Sequence, residues 1–275
     1  GTDGEQRAGD VDVTSFAPNT GKVRTVTLGN FPTGGGKGDD HNVAALWERP
    51  DGRYLAVYTA HNHGQKQKKP QSFYRISTNP HDATDWQAEQ TFDWPTDDPV
   101  GNDWIAVTYS NLHHLSAEDG DKGRLYNIAR ASGQTWRIAT SDDWGETWTY
   151  RGILTLPPEG GRAYSNGYPK FCDNAVDRID FILTEAHPRD YNNVIDPETF
   201  SDAAPKPEQF TPVFQPQEPA EGAYHTGWTT DLVLGADRRV HALFTCREGV
   251  ESIRKNETTN ALGDADHRLF YGRLN

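Results

Sequence analysis

The chain has no methionine and only two cysteines, Cys172 and Cys246, in 275 residues. Two thiols leave open one disulfide, a metal ligand pair or two small buried side chains, and they exclude a scaffold stapled by many bridges. The absence of Met, even at the first position, suits a processed chain. No apolar run approaches the ~18 residues that a membrane span needs. The start is polar from Gly1 with no signal peptide, as it would also be if a leader had been removed. Positive charge is scarce: 27 Lys and Arg face 40 Asp and Glu, a formal net charge of −13. That balance argues against nucleic acid and anionic membrane as partners, because both need a basic surface. An anionic substrate stays open wherever a local cluster of Arg and His reverses the field.

Helical periodicity is also scarce, and short alternating strands opened by turn residues take its place. Examples are Asp51-Gly52-Arg53 leading into Tyr54 to Tyr58, Lys122-Gly123-Arg124 into Leu125 to Arg130, Asp177-Arg178 into Ile179 to Thr184, and Asp237-Arg238-Arg239 into Val240 to Thr245. Second strands follow at Phe73 to Ser77, Trp136 to Thr140 and Leu269 to Arg273. The Arg residues of the opening turns (Arg53, Arg124, Arg178, Arg239) are spaced by 71, 54 and 61 residues. A repeat of ~40–60 residues with about four strands is the pattern of a β-propeller blade, the competing reading being a β-sandwich with uneven spacing. The Pro-, Gly- and Asp-rich stretch from Asp196 to Gly222 reads as a long surface excursion. The fold class expected is all-β, with one propeller domain over 1–275.

Ser141-Asp142-Asp143-Trp144-Gly145-Glu146-Thr147-Trp148 fits Ser-x-Asp-x-Gly-x-Thr-Trp. It resembles the Asp-box of the bacterial neuraminidase (BNR) repeat, a turn between two blade strands. Asp143 is suited to accept backbone N–H groups, Gly145 to supply a positive φ, and Trp148 to pack beneath. Its role is structural.

Candidate chemistry lies earlier. Asp39-Asp40-His41-Asn42 and Tyr58-Thr59-Ala60-His61-Asn62 bracket one expected hairpin, with His41 and His61 twenty residues apart. A hairpin returns its ends to one sheet edge, so both imidazoles are acid/base candidates near neutral pH. A cation site is a separate expectation. His187, Asp231, Cys246 and His267 fall at corresponding strand ends, and a Cys/His/Asp set suits zinc, with calcium the other structural ion considered.

The longer segments resemble one branch of BNR-repeat propellers, the polysaccharide lyases that include ulvan lyases. The segments are Gly38-Asp39-Asp40-His41-Asn42, Tyr58 to Asn62, Val107-Thr108-Tyr109-Ser110-Asn111-Leu112-His113, Arg124 to Arg130, Thr184-Glu185-Ala186-His187-Pro188 and Asp266 to Tyr271. The resemblance implies a propeller of four-stranded blades, seven in the family. At ~50 residues per blade this chain has room for about five, so either terminal blades are missing or the protein has fewer.

Such a family implies cleavage of a uronic acid-containing, ulvan-like chain of sulfated rhamnose and glucuronate by β-elimination. That reaction needs a base, an acid and a cation facing the carboxylate. By resemblance, His41 is the base and His61 holds the sugar or assists proton transfer. Tyr109 matches the acid and Arg130 the carboxylate-neutralising arginine, while Asn42, Asn62 and His113 are substrate hydrogen-bond partners. The insertion from Glu118 to Gly123 shifts the interval between Tyr109 and Arg130. No cofactor is required for the chemistry. The expected setting is a secreted or periplasmic monomer acting on an acidic polysaccharide. The competing functions are an exo-acting rhamnosyl-glucuronate hydrolase or lyase, and a non-catalytic carbohydrate-binding propeller.

Overall fold

The computed structural model describes residues 8–32, 39, 41–61, 69–96, 105–118, 120–155, 167–184, 195–199, 224–248 and 267–273. The chain divides into two compact units, 1–112 with 124–152 and 113–123 with 153–275. Among the described residues there is no α-helix, only strands and two short 3₁₀ turns. Hence no described helix is long and apolar enough to cross a membrane.

In the first unit, β1 (Asp10–Ala17) and β2 (Lys22–Asn30) form an antiparallel pair. Next comes an antiparallel meander of β3 (Ala44–Glu48), β4 (Tyr54–Thr59), β5 (Gln71–Ile76) and β6 (Gln90–Asp93), each strand bonded to the next in sequence. A second four-stranded sheet has β7 (Thr108–Leu115), β8 (Arg124–Ala131), β9 (Thr135–Ser141) and β10 (Thr149–Ile153) in the order β10-β9-β8-β7. In the second unit, β11 (Pro169–Asp173), β12 (Ile179–Thr184) and β13 (Ile195–Thr199) make one three-stranded sheet. Another is made by β14 (Tyr224–Leu234), β15 (Val240–Glu248) and β16 (His267–Arg273). These sequential sheets are the blades of a β-propeller, and the fold class is the expected one.

All four strands expected after turn signals are present as β4, β8, β12 and β15, and the expected second strands are β5, β9 and β16. The excursion expected from Asp196 begins differently: residues 196–199 belong to β13, paired with β12. The remainder, 200–222, lies outside the described residues. Five sheets are formed by the described residues, two of them four-stranded.

The reason β4 stays a strand is visible in its faces. Leu55 and Val57 pack into a cluster with Tyr74, Ile76 and Leu125, while Ala56 and Tyr58 join another with Val11, Val13, Leu28 and Phe73. A strand apolar on both sides must be covered on both sides. At its start the backbone N–H of Gly52 donates to the Arg49 carbonyl at 2.8 Å and φ is +78°. Glycine alone adopts that conformation without cost. In the second unit, Ile182, Leu232, Val240, Ala242, Phe244 and Cys246 make the core, with Cys172 packed at its edge. Both cysteines are free thiols, so the disulfide option is not taken.

The 141–148 turn joins β9 to β10 as expected. Asp143 accepts the Thr147 N–H at 2.9 Å and the Thr147 hydroxyl at 2.6 Å, and the Ser141 hydroxyl accepts the Gly145 N–H at 2.7 Å. Trp148 packs against the cluster containing Leu55 and Tyr74. Gly145 has φ +88°, and a Cβ there would stand 2.5 Å from Leu55 Cδ2. Leu55 is fully buried and has nowhere to move. Gly145→Ala should therefore cost about 2 kcal/mol or more in urea denaturation, since strain and overpacking add. Gly21→Ala is the control: its φ is +66° with nothing within 4 Å, and its loss should be clearly smaller.

Candidate active site

The β3–β4 hairpin sets the site. Ala44 pairs with Tyr58, so the chain entering β3 and the chain leaving β4 emerge side by side. His41 lies just before the first strand and His61 just after the second. The Asn42 side-chain oxygen clamps the two segments by accepting the His61 backbone N–H at 2.8 Å. From the next sheet, the Thr108 hydroxyl donates to the His41 carbonyl at 3.0 Å. The two imidazoles end up stacked, with centroids 4.3 Å apart and planes 19° apart. The hairpin brings together what the sequence spacing suggested.

Asp39 completes the arrangement. One oxygen, Oδ1, lies 2.6 Å from His41 Nδ1 and accepts the His41 backbone N–H at 3.0 Å; Oδ2 lies 2.9 Å from His61 Nδ1. The carboxylate side chain is only 8 % exposed, against 16 % for His61 and 34 % for His41. His41 is thus the member of the three most open to solvent. Burial works against the ionised Asp39, but hydrogen bonds from His61 and from the His41 backbone and ring outweigh it and bring its pKa down to about 2. For His61, burial dominates and lowers the pKa despite the Asp39 hydrogen bond, with His41 and Arg130 adding to the depression.

Tyr109 and Arg130 join the same cluster. The Tyr109 ring is 5.6 Å from His41 and stacks on Trp136 at 6.3 Å and 19°. Arg130 on β8 is directly opposite Trp136 on β9, and its guanidinium carbon sits 4.7 Å from the Tyr109 ring centroid. That is within cation–π range. Arg130 is 4 % exposed, so its charge acts with little screening from bulk water. Tyr109 has φ +59°, an uncommon conformation for an aromatic residue, and the Asn111 side-chain amide donates to its carbonyl at 2.8 Å.

The other expected residues divide. Asn42 is present, with its oxygen engaged as the clamp just described. Asn62 lies outside the described residues. His113 belongs to the second unit, where its Nδ1 is 2.6 Å from Asp173 and its ring is 5.7 Å from Phe171. Of the expected cation ligands, His187 and the side chain of His267 lie outside the described residues. Asp231 is exposed on β14, while Cys246 is fully buried in the apolar core with its thiol pushed up to about 12 by burial. Among the described residues, the ligand-type atoms that converge within 4.8 Å are those of Asp39, His41 and His61.

Sequence reasoning gave no role to Asp39 or Trp136. A signal for the first existed, since Asp two residues before a turn His commonly accepts its backbone N–H. For Trp136 there was none beyond its place in an alternating strand. A separate cleft of about 680 Å³ in the first unit, lined by Phe16, Arg24, Tyr54, His81 and Trp86 among others, shares no residue with this cluster.

No family model matches the sequence, and no curated protein does. Among solved structures, the chain is similar to an ulvan lyase, of a new polysaccharide lyase family, bound to -[GlcA(1-4)Rha3S]-. The identity is 14 % and the TM-score 0.64, covering 97 % of this chain and 64 % of that one. It is also similar to an α-L-arabinofuranosidase from Fusarium graminearum, at 14 % identity and TM-score 0.51, over 85 % of this chain and 62 % of that one. The chain therefore spans less than two thirds of the length of these neighbours. At such identities the likeness establishes the propeller fold.

A carboxylate whose pKa is depressed on folding stabilises the fold above its unfolded value and loses that stabilisation as pH falls. For Asp39 the window runs from 3.8 down to about 2. The stability gap between the wild-type chain and Asp39→Asn should be about 2 kcal/mol near neutral pH and should close as pH drops through that window, read by urea denaturation at each pH.

Proposed function

We propose that the chain is a carbohydrate-active enzyme, a lyase that cleaves a uronic acid-containing polysaccharide of the ulvan type by β-elimination. The observation that carries this reading is the single cluster of His41, His61, Tyr109 and Arg130, in which a solvent-open imidazole, a phenol and a buried guanidinium meet. Elimination requires those three groups: a base, an acid and a cation. The propeller neighbours, which include an ulvan lyase, support the same reading.

In this proposal the uronate carboxylate pairs with Arg130. The pairing lowers the cost of the negative charge that builds up as the C5 proton leaves. His41 takes that proton, the electron pair forms the C4–C5 double bond, and the C4–O4 bond breaks. Tyr109 gives its phenolic proton to O4. His61 holds the sugar or passes protons, and it is suited to do so as a neutral imidazole because burial lowers its pKa. No cofactor enters these steps.

One arabinofuranosidase neighbour is a glycosidase, so hydrolysis is the competing chemistry. Most glycosidases use two carboxyl groups, one of them a protonated acid. Among the described residues the carboxylate of this cluster is Asp39, and hydrogen bonds from both imidazoles and the His41 backbone hold it ionised down to about 2. That makes it a poor general acid, and the balance favours elimination. A secreted or periplasmic location suits a polymer substrate too large to enter the cell.

An elimination product is unsaturated and absorbs in the far ultraviolet, whereas hydrolysis gives no such absorbance. With ulvan as substrate, His41→Ala and Tyr109→Phe should each lower the rate of absorbance gain by about 10²–10⁴-fold, the range a positioned base or acid contributes. Thermal melting should stay close to wild type. Full activity in both variants would remove these two residues from the mechanism, and no product from any uronate polymer would favour a carbohydrate-binding propeller.

A further inference from the structure

We infer that Asp39 is a positioning residue: its carboxylate, with one oxygen on each ring, holds both His41 and His61 as Nδ1–H tautomers and leaves Nε2 as the basic nitrogen of each. This deepens the elimination reading and rests on it only for its effect on rate.

The geometry constrains the protons. An ionised carboxylate can only accept hydrogen bonds. At 2.6 Å from His41 Nδ1 and 2.9 Å from His61 Nδ1, each contact therefore requires a hydrogen on nitrogen. An Nε2–H tautomer would set a nitrogen lone pair against a negative oxygen at the same distance. Protonated imidazole also carries Nδ1–H, so the constraint holds in either charge state of the rings. The stacking, 4.3 Å between centroids and 19° between planes, is what lets one carboxylate reach both rings. Asp39 is fixed in turn by the His41 backbone N–H at 3.0 Å, and its ionised form persists down to about pH 2.

The alternative occupant of this triangle is a metal ion. Zinc bonds of 2.0–2.1 Å in a tetrahedron separate donor atoms by roughly 3.3 Å. The observed separations of 2.6 and 2.9 Å are shorter and are those of charge-assisted hydrogen bonds. The arrangement fits shared protons better than a shared cation.

For catalysis the consequence is specific. The proton leaving C5 must arrive at His41 Nε2, and the imidazolium formed is stabilised through its far nitrogen by Asp39. An Asp39→Asn replacement keeps the shape and changes the donors. Its amide oxygen still accepts from one ring, but its NH₂ faces the other and drives that ring to the Nε2–H tautomer. The ring so driven has no lone pair on Nε2.

The test is ¹⁵N NMR of the histidine ring nitrogens at a pH where both rings are neutral, with His41→Gln and His61→Gln used for assignment. We expect Nδ1–H tautomers at both positions in the wild-type protein and a switch to Nε2–H in at least one ring of Asp39→Asn. On ulvan, that variant should lose on the order of 100-fold in kcat with KM changed by only a few-fold, the low end of what a positioned base contributes. An Nε2–H tautomer at either ring of the wild-type protein, or unchanged tautomers in a folded Asp39→Asn, overturns the assignment. The wild-type spectrum decides even where the variant fails to fold. If no uronate polymer yields product, the elimination reading falls, while the ring spectra still decide the part played by Asp39.

Discussion

A carboxylate withdrawn from water survives as an anion only when its surroundings replace the lost hydration. Asp39 meets that requirement with two imidazole N–H groups and one backbone N–H. The requirement propagates outward. The two rings must lie parallel, so the segments carrying them must run side by side, and the Ala44–Tyr58 pairing of β3 with β4 provides this. The strand β4 holds its place because both of its faces are buried. The site thus depends on a hairpin whose own stability comes from apolar packing elsewhere.

The fold was legible in the sequence because blades repeat. Each turn signal (Asp-Gly-Arg before β4, Lys-Gly-Arg before β8) is followed by a short, largely apolar run of strand-forming residues, and that local rule acts independently of the rest of the chain. The 141–148 turn was legible for the same reason, since the Ser141 hydroxyl accepts the Gly145 N–H and Asp143 accepts the Thr147 N–H and hydroxyl, all within seven residues. His41 and His61 were legible because hairpin geometry converts spacing into proximity. Asp39 was harder. Its partners are two residues and twenty-two residues away, and only the second distance, across the hairpin, gives it a role. Trp136 was not legible at all, because its stacking on Tyr109 depends on how β7 and β9 face one another across β8. The stretch from Asp196 failed for a simpler reason. A Pro- and Asp-rich composition reads as loop, yet pairing with β12 overrides local preference over Ile195–Thr199.

An acidic chain presents a problem to an anionic polymer. With 40 acidic and 27 basic side chains, the average surface repels a polyuronate. The polyuronate substrate proposed above therefore requires a local positive charge in a place where screening is weak. Arg130 meets both conditions, being 4 % exposed and backed by the Tyr109 ring face at 4.7 Å. The quadrupole of that ring favours the cation without neutralising it. Tyr109 in turn is held with a positive φ, which costs of order 1–3 kcal/mol and persists only where neighbours over-determine it. Here the neighbours are Arg130, Trp136, His41 and the Asn111 amide. The backbone strain and the placement of the buried guanidinium are therefore one feature. Turning the phenol ring into the position that supports Arg130 is also what places it 5.6 Å from His41, so that guanidinium, phenol and imidazole are brought together by a single strained residue near the start of β7.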